Sequence, residues 1–244
     1  MNSRQRLEAA IALRPVDRPP VAPVLFSFAG RHAGVPMAEF FSSQRAARRA
    51  LARAFADLGG WDAQVIPGRQ DPLLYALVTP VRQVLPGRDL PADSPAQALE
   101  VEAMLAEDYG RVVEKGWLRT LVGHVVPRLY PGMGGTPAGL ARFLTRALPA
   151  SWGMYLDDKY WQRRGIPVLV GAAVNVPFDT LTFARSLPAM ALDLYDRPEQ
   201  VIAAMESMLP DLVRASLLLA RLRGKAFALL SPCHAPGLVY NTFD

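Results

Sequence analysis

The fold prediction starts from one proline-rich segment, Arg14-Pro15-Val16-Asp17-Arg18-Pro19-Pro20-Val21-Ala22-Pro23-Val24-Leu25-Phe26. Its four prolines exclude a helix and hold the backbone extended. An amphipathic pattern from Arg4 to Leu13 predicts a helix before this segment. The apolar residues at the end of the segment predict a first buried strand at 22–28. The expected order is a helix, a stiff turn and a strand.

Three more strands are predicted, at 62–67, 168–175 and 226–231. The third is an almost unbroken apolar run, which is typical of a strand buried on both faces. Helical patterns at 38–58 and 197–222 lie between the strands, and their alternation predicts a parallel sheet. A short hairpin arm at 77–85 and a helix with Ser94 as its N-cap are also expected.

Composition limits the class of protein. At 244 residues and 51% hydrophobic, the sequence predicts one globular domain over 1–244. It contains no uncharged apolar run of membrane-spanning length and does not begin like a secretion signal. Cys233 is the only cysteine, so no internal disulfide is possible, and a reducing cytoplasm is the expected location.

The formal charge of +5 is compatible with nucleic acid as a binding partner. The basic excess is mostly arginine spread along the chain, although Arg45, Arg49 and Arg53 share one helical face. A solvated outer face and an anionic partner both explain that row. Because no zinc-finger spacing or aromatic RNA-binding pattern accompanies it, nucleic acid is not an expected partner.

The sequence Ser27-Phe28-Ala29-Gly30-Arg31 follows the first predicted strand. It resembles the Arg-Gln-Ala-Gly-Arg signature that ends the first strand in the uroporphyrinogen decarboxylase superfamily. Weaker motifs resemble the same superfamily in the same order along essentially the whole chain, at 55–63, 86–91, 100–109, 177–181 and 190–199. The resemblance implies an α/β fold of the (β/α)₈ TIM-barrel type, often dimeric.

A complete barrel of this type needs about 250 residues and eight strands. The four strands predicted here correspond to its amino-terminal portion, truncated after about four β/α units. Such a sheet would expose unpaired edges and uncovered apolar faces. A homo-oligomer is therefore expected, and the isolated chain is not expected to be a well-behaved monomer.

The superfamily resemblance implies two activities: decarboxylation of the acetate arms of a tetrapyrrole, and methyl transfer that involves corrinoid proteins and thiols. Ser27 stands where the signature has its first arginine, and Arg69 stands where the decarboxylase has an aspartate. Phe183 replaces a tyrosine. Since these three changes remove groups that decarboxylation uses, the resemblance favours the methyltransferase-type branch.

Zinc in the methyltransferases of this superfamily is held by a His-x-Cys pair and a later cysteine. Here Cys233 and His234 are adjacent and no second cysteine exists, so no metal ligands are predicted in this chain. A corrinoid or zinc is expected only if the methyltransferase interpretation holds.

The predicted site collects residues that follow the predicted strands, where such barrels carry their chemistry. Arg31 is expected to bind a substrate carboxylate or phosphate, with a salt bridge to a loop carboxylate as the alternative. The expected substrate-binding residues are Ser27, Arg31 and Arg69, and the expected proton-transfer residues are Asp71, Asp179 and His234.

The expected partner is a small anionic substrate or a corrinoid protein. Two other functions stay open: uroporphyrinogen decarboxylation with relocated groups, and a non-catalytic half barrel that binds a partner. Asp193 and Asp196 are expected to orient the start of the helix after them rather than to catalyse.

Overall fold

The computed structural model describes residues 1–223 and the backbone of 228–231. Contacts divide the chain into two compact units. Unit 1 comprises Met1–Gln70, Val84–Gln97 and Pro149–Val170, and unit 2 comprises Asp71–Gln83, Ala98–Leu148 and Gly171–Asp244. The single domain over 1–244 stays a prediction.

Unit 1 is built mainly from helices. They are α1 (Ser3–Ile11), α2 (Phe28–His32), α3 (Met37–Ser42), α4 (Gln44–Asp57) and the carboxyl-terminal part of α9 (Pro137–Gln162). The helix predicted at 38–58 is divided at Ser43, whose side chain accepts a hydrogen bond from the Ala46 amide and so caps α4.

The core of unit 1 combines small and aromatic side chains. Ala47, Ala50 and Ala54 bring α4 close to its neighbours, and the indoles of Trp61 and Trp161 lie among the buried apolar residues. Gly30 is needed for close packing, because a Cβ there would lie 2.6 Å from Met37 Cε.

Unit 2 has a separate core. Its helices are α5 (Pro72–Ala76), α6 (Asp108–Lys115), α7 (Trp117–Thr120), α8 (Val126–Leu129), α10 (Pro177–Arg185), α11 (Leu187–Asp196) and α12 (Pro198–Leu222), with a π-helical turn at Leu121–Val125 and the amino-terminal part of α9. Trp117, Tyr109 and Leu181 are among its fully buried side chains. The helix predicted at 197–222 is confirmed by α12.

Two pairs of strands are described. The strands β1 (Arg82–Val84) and β2 (Gln97–Leu99) form one sheet, and β3 (Ala172–Asn175) and β4 (Ala228–Ser231) form the other. β3 and β4 are parallel, with Ala172 opposite Ala228 and Asn175 opposite Ser231. Within unit 1, Gln64 and Val168 form an isolated parallel bridge. Parallel pairing is thus confirmed at these places, and the barrel stays a prediction.

The first predicted strand, at 22–28, is wrong. The Phe28 amide donates to the Leu25 carbonyl across a turn at 26–27, and α2 begins at once. Pro23 has no amide hydrogen to contribute to a ladder, and just before this segment the Val21 carbonyl accepts from the Asp62 amide at 2.7 Å. The strand predicted at 62–67 is likewise reduced to the bridge at Gln64.

The helix predicted to start at Ser94 is also wrong. Ser94 Oγ donates backward to the Pro91 carbonyl at 2.7 Å and therefore caps no helix. The chain continues into β2, and helix resumes only at Asp108. Of the hairpin arm predicted at 77–85, only the part that forms β1 is a strand. No helix within the described residues combines the length and apolar character that a membrane crossing requires.

Candidate functional site

The predicted site residues fall into both units. Ser27, Arg31 and Arg69 belong to unit 1, and Asp71 and Asp179 belong to unit 2. His234 lies outside the described residues.

Arg31 lies on an exposed face of the short helix α2. The buried pair Ala29 and Gly30 anchors that helix in the core of unit 1. Ser27 precedes α2 but its side chain makes no capping hydrogen bond. Arg31 was expected at the end of a buried strand; its exposed position instead leaves the guanidinium accessible to an anion from solvent.

Arg69 belongs to a turn that the core of unit 1 holds in place. Its Nη1 donates to the Phe41 carbonyl at 3.0 Å, and two residues earlier the Pro67 carbonyl accepts from Trp161 Nε1 at 2.9 Å. Gly68 packs so close to Asp157 that a Cβ there would overlap the carboxylate. The backbone after the predicted second strand is thereby fixed against α9.

Asp157 is a buried acid that sequence reasoning missed. Its carboxylate accepts hydrogen bonds from Arg48 Nε, at 2.5 Å, and from the Gln44 amide. Burial raises the pKa of Asp157, because the hydrogen bonds from Arg48 and Gln44 offset the loss of solvation only in part. The signal in the sequence is the pair Asp157-Asp158 inside an otherwise apolar and aromatic helical segment. The contacts tie α9 to α4, which makes this carboxyl a structural anchor.

Asp71 caps α5. One carboxylate oxygen accepts from the amides of Leu73, at 3.0 Å, and Leu74, at 3.3 Å, and Pro72 occupies the first turn. These are the contacts of an N-cap, so the geometry explains Asp71 without a catalytic role.

Asp179 lies where β3 passes into α10. It is in the first turn of that helix and its residue exposure is 1%. The helix amino terminus favours a negative charge at this position. Just before it, Asn175 Nδ2 donates to the Val78 carbonyl at 3.1 Å and to Thr79 Oγ1 at 3.0 Å. The end of β3 is therefore tied to the segment that follows α5.

The parallel register places the ends of β3 and β4 at one edge. Asn175 and Ser231 are register partners, so the chain leaves both strands on the same side. Asp179 follows the first of these ends. Cys233 and His234 follow the second in sequence, outside the described residues. The end of β3, with Asn175 and Asp179, is the candidate functional site that the described residues best define.

A second buried network in unit 2 is structural. Arg185 donates to Asp193 Oδ2 through Nε at 2.6 Å and to the Met104 carbonyl at 2.7 Å, and it also pairs with Glu102. Tyr109 Oη donates to the same Asp193 oxygen at 2.8 Å. Burial raises the pKa of Tyr109, and the Asp193 carboxylate acts in the same direction. This network locks the segment before α6 against α10 and α11.

Asp193 also contacts the start of the following helix. Arg197 Nε lies 3.2 Å from Asp193 Oδ1, and the Arg197 amide donates to the Asp193 carbonyl. These contacts agree with the expected role of Asp193 in orienting that helix.

Two of the three arginines in the row on α4 form ion pairs with acidic side chains. Arg49 pairs with Glu39 at 3.1 Å and Arg53 pairs with Asp57 at 2.6 Å. These contacts favour the solvated-face explanation over an anionic partner.

Among residues 1–223, no group of three or more histidine, cysteine, aspartate or glutamate side chains is placed to hold a metal ion. Zinc and a corrinoid stay predictions.

Comparison with known proteins gives no family assignment. The sequence matches no family model, and neither a curated protein nor a solved structure is detectably similar to it.

Proposed function

We propose that this chain supplies the first strand–helix units of a uroporphyrinogen decarboxylase-like barrel, and that the enzyme belongs to the methyl-transfer branch. The observation that supports the proposal best is parallel pairing between segments that the sequence predicted as strands. Gln64 forms a parallel bridge with Val168 in unit 1, and β3 pairs in parallel with β4 in unit 2. Sequential parallel pairing is the pattern of a (β/α)₈ sheet.

The methyl-transfer branch is favoured over the haem-pathway decarboxylase by the changed residues. A tetrapyrrole's pyrrole N–H groups need an acceptor, and Arg69 offers only donors at the position of the family's aspartate. One of those donors is already engaged with the Phe41 carbonyl. Phe183 has no hydroxyl to replace the family's tyrosine.

Asp179 is the proposed acid–base residue. It follows β3 directly and is shielded from solvent, and a carboxyl in such a site can hold or release a proton close to a bound substrate. A corrinoid, when bound, would supply the methyl chemistry, and the role of Asp179 would be to move a proton. Arg31, in unit 1, is proposed separately as an anion-binding residue.

Anaerobic incubation of the chain with methylcobalamin, Zn²⁺ and 2-mercaptoethanol tests the proposal. We expect thiol-dependent loss of the methylcobalamin absorbance, slowed about a hundredfold or more by Asp179→Asn, which is the usual size of a lost acid–base contribution. Asp196→Asn is the matched control, since it changes an exposed acid of the same unit. Equal rates for these two variants would contradict the role of Asp179.

A parallel incubation with uroporphyrinogen separates the alternatives. Accumulation of coproporphyrinogen would replace the methyl-transfer proposal by decarboxylation. Turnover of neither substrate would favour the non-catalytic half barrel.

A further inference from the structure

We propose that one face of α9 in unit 1 binds the surface of a membrane that contains anionic lipid. This face, here called the α9 patch, belongs to the carboxyl-terminal part of the helix and the turn after it. It combines exposed aromatic and apolar side chains with cations. Its members are Trp152, Tyr155, Leu156, Lys159, Arg163 and Arg164. The inference does not depend on the proposed function.

The apolar part of the α9 patch faces solvent rather than the core. Trp152 is 62% exposed, Tyr155 is 44% exposed and Leu156 is 41% exposed. Together with Lys159 they occupy positions i, i+3, i+4 and i+7, which share one face of a helix. The opposite face carries the fully buried Trp161. Single exposed apolar residues are ordinary, whereas a contiguous group of them marks an interaction site.

The aromatic rings of the α9 patch are already ordered. The Trp152 and Tyr155 rings stack, with centroids 5.1 Å apart and 26° between their planes. Lys159 Nζ lies 5.3 Å from the centroid of the Tyr155 ring. Indole and phenol rings collect at the boundary between lipid and water, because each has an apolar body and a polar tip. Rings held in this way lose little freedom when they insert among lipid headgroups.

The charges of the α9 patch select an anionic membrane. Between Pro149 and Gly165 the chain has two acids, Asp157 and Asp158, and both are buried. The three cations of the patch therefore meet no exposed acid of their own segment. A helix that presents tryptophan and leucine together with lysine and arginine has the composition of helices that lie in the plane of a membrane surface. Each such cation strengthens binding to an anionic bilayer about fivefold.

Both arginines are held at the end of the helix. The Arg164 guanidinium lies 3.6 Å from the centroid of the Tyr160 ring, and its Nη1 donates to the Tyr160 carbonyl at 3.1 Å. The Arg163 amide donates to the Lys159 carbonyl at 3.1 Å. The two guanidinium groups thus stay beside the aromatic part of the patch, where they can bind the phosphate and carboxylate oxygens of lipid headgroups.

A bilayer fits the α9 patch better than a second copy of the chain does. Two copies that met through this face would bring like charges together, which is unfavourable. The Trp152 and Tyr155 rings, each about half exposed, offer roughly 100 Å² apiece. A stable interface between proteins needs about 800 Å² per partner.

A bilayer also fits better than a single-stranded nucleic acid. Such a strand stacks its bases on the faces of aromatic rings. Tyr155 is already stacked on Trp152, and Tyr160 already lies beneath Arg164. Leu156 contributes nothing to a contact with bases or phosphates, whereas it gains from burial among acyl chains.

Tryptophan fluorescence of the intact chain tests the inference. The chain has four tryptophans, and Trp61, Trp117 and Trp161 are buried, so Trp152 supplies the accessible indole. Vesicles of phosphatidylcholine and phosphatidylserine should protect Trp152 from acrylamide quenching and shift its emission to shorter wavelength. Vesicles of phosphatidylcholine alone should bind about a hundredfold more weakly, since three cations lose their partners. Trp152→Phe should abolish the fluorescence change but retain most of the binding.

Co-sedimentation with the same mixed vesicles measures the contribution of each part. Arg163→Gln/Arg164→Gln should weaken binding about 25-fold, and Trp152→Ala should weaken it about tenfold. Arg49→Gln/Arg53→Gln is the matched control, because it removes the same net charge from α4 of unit 1, where both arginines pair with acids. It should change binding less than twofold. The replaced side chains are all exposed, so the far-UV circular dichroism of each variant should match that of the parent.

Four results would overturn the inference. The first is equal binding to the mixed and the neutral vesicles, and the second is an equal effect of the two double arginine variants. The third is protection of Trp152 without lipid as the protein concentration rises, which would assign the α9 patch to a second copy. The fourth is protection by a single-stranded oligonucleotide and not by vesicles.

Discussion

Asp193→Ala should lower the free energy of unfolding of unit 2 by about 4 kcal/mol, because breaking a buried ion pair leaves its partner uncompensated. The side-chain exposures of Arg185 and Asp193 are 5% and 3%, so solvent cannot replace the lost carboxylate. Burial opposes the charge on Arg185, and Asp193 and Glu102 together outweigh that effect and raise its pKa. Tyr109 would lose its acceptor as well.

Urea unfolding followed by far-UV circular dichroism measures this effect. Tyr109→Phe removes one hydrogen bond from the same network and should cost only about 1 kcal/mol. The double replacement Arg185→Met/Asp193→Leu should cost less than Asp193→Ala, since it removes both charges together. An Asp193→Ala protein within 1 kcal/mol of the parent would contradict the network as described.

Asp62→Ala should destabilise unit 1 by about 3 kcal/mol. The Asp62 side chain is fully buried and accepts from Arg6 Nη1 at 2.5 Å, Arg18 Nη1 at 2.6 Å and the Val21 amide at 2.9 Å. It joins α1 and the proline-rich segment to the start of the predicted second strand. The expected loss of stability is smaller than for Asp193→Ala because Arg18, at 51% side-chain exposure, can return to solvent.

Glu8→Ala is the control. It changes an exposed ion pair on α1 and should change the free energy of unfolding by less than about 0.5 kcal/mol.

The contribution of Asp62 to the free energy of unfolding should decrease as the pH is lowered. Burial opposes ionisation of Asp62, but Arg18, the Val21 amide and Arg6 outweigh it and lower the pKa below the ordinary 3.8. A lowered pKa contributes stability that is present above the unfolded value and is lost as the pH falls through the folded one. The stability difference between the parent and Asp62→Asn should therefore stay constant at neutral pH and shrink below the ordinary pKa of 3.8. A difference that grows on acidification would contradict this assignment.

Sequence patterns predicted α4 and α12, missed the 26-residue helix α9, and predicted the strands poorly. The apolar spacing of α4 and α12 was sufficient, because a helix is set by contacts three and four residues apart. The first predicted strand failed because apolar residues between prolines look like a strand, whereas pairing depends on backbone donors that prolines lack. Pairing of Gln64 with Val168 depends on contacts 104 positions apart, which local patterns do not contain.

The candidate site was predicted in part. Asp179 was expected because it follows a predicted strand, and it lies in the first turn after β3. Asp71 was expected for the same reason, yet its carboxylate caps α5, a role that the following Pro72 could have indicated. Asp157 was missed because its partners Gln44 and Arg48 lie more than a hundred residues away.

Parallel pairing of β3 and β4 is the claim on which the proposed function depends, and engineered disulfides test it most directly. In a Cys233→Ser background, Ala172→Cys/Ala228→Cys joins register partners, whose Cα atoms lie about 4.8 Å apart and can be bridged. Ala172→Cys/Ser231→Cys would join partners only if the strands were antiparallel; in the parallel pair these Cα atoms are roughly 11 Å apart. Mild oxidation and peptide mapping should give the intramolecular disulfide for the first pair alone. A disulfide formed by the second pair and not by the first would contradict the account.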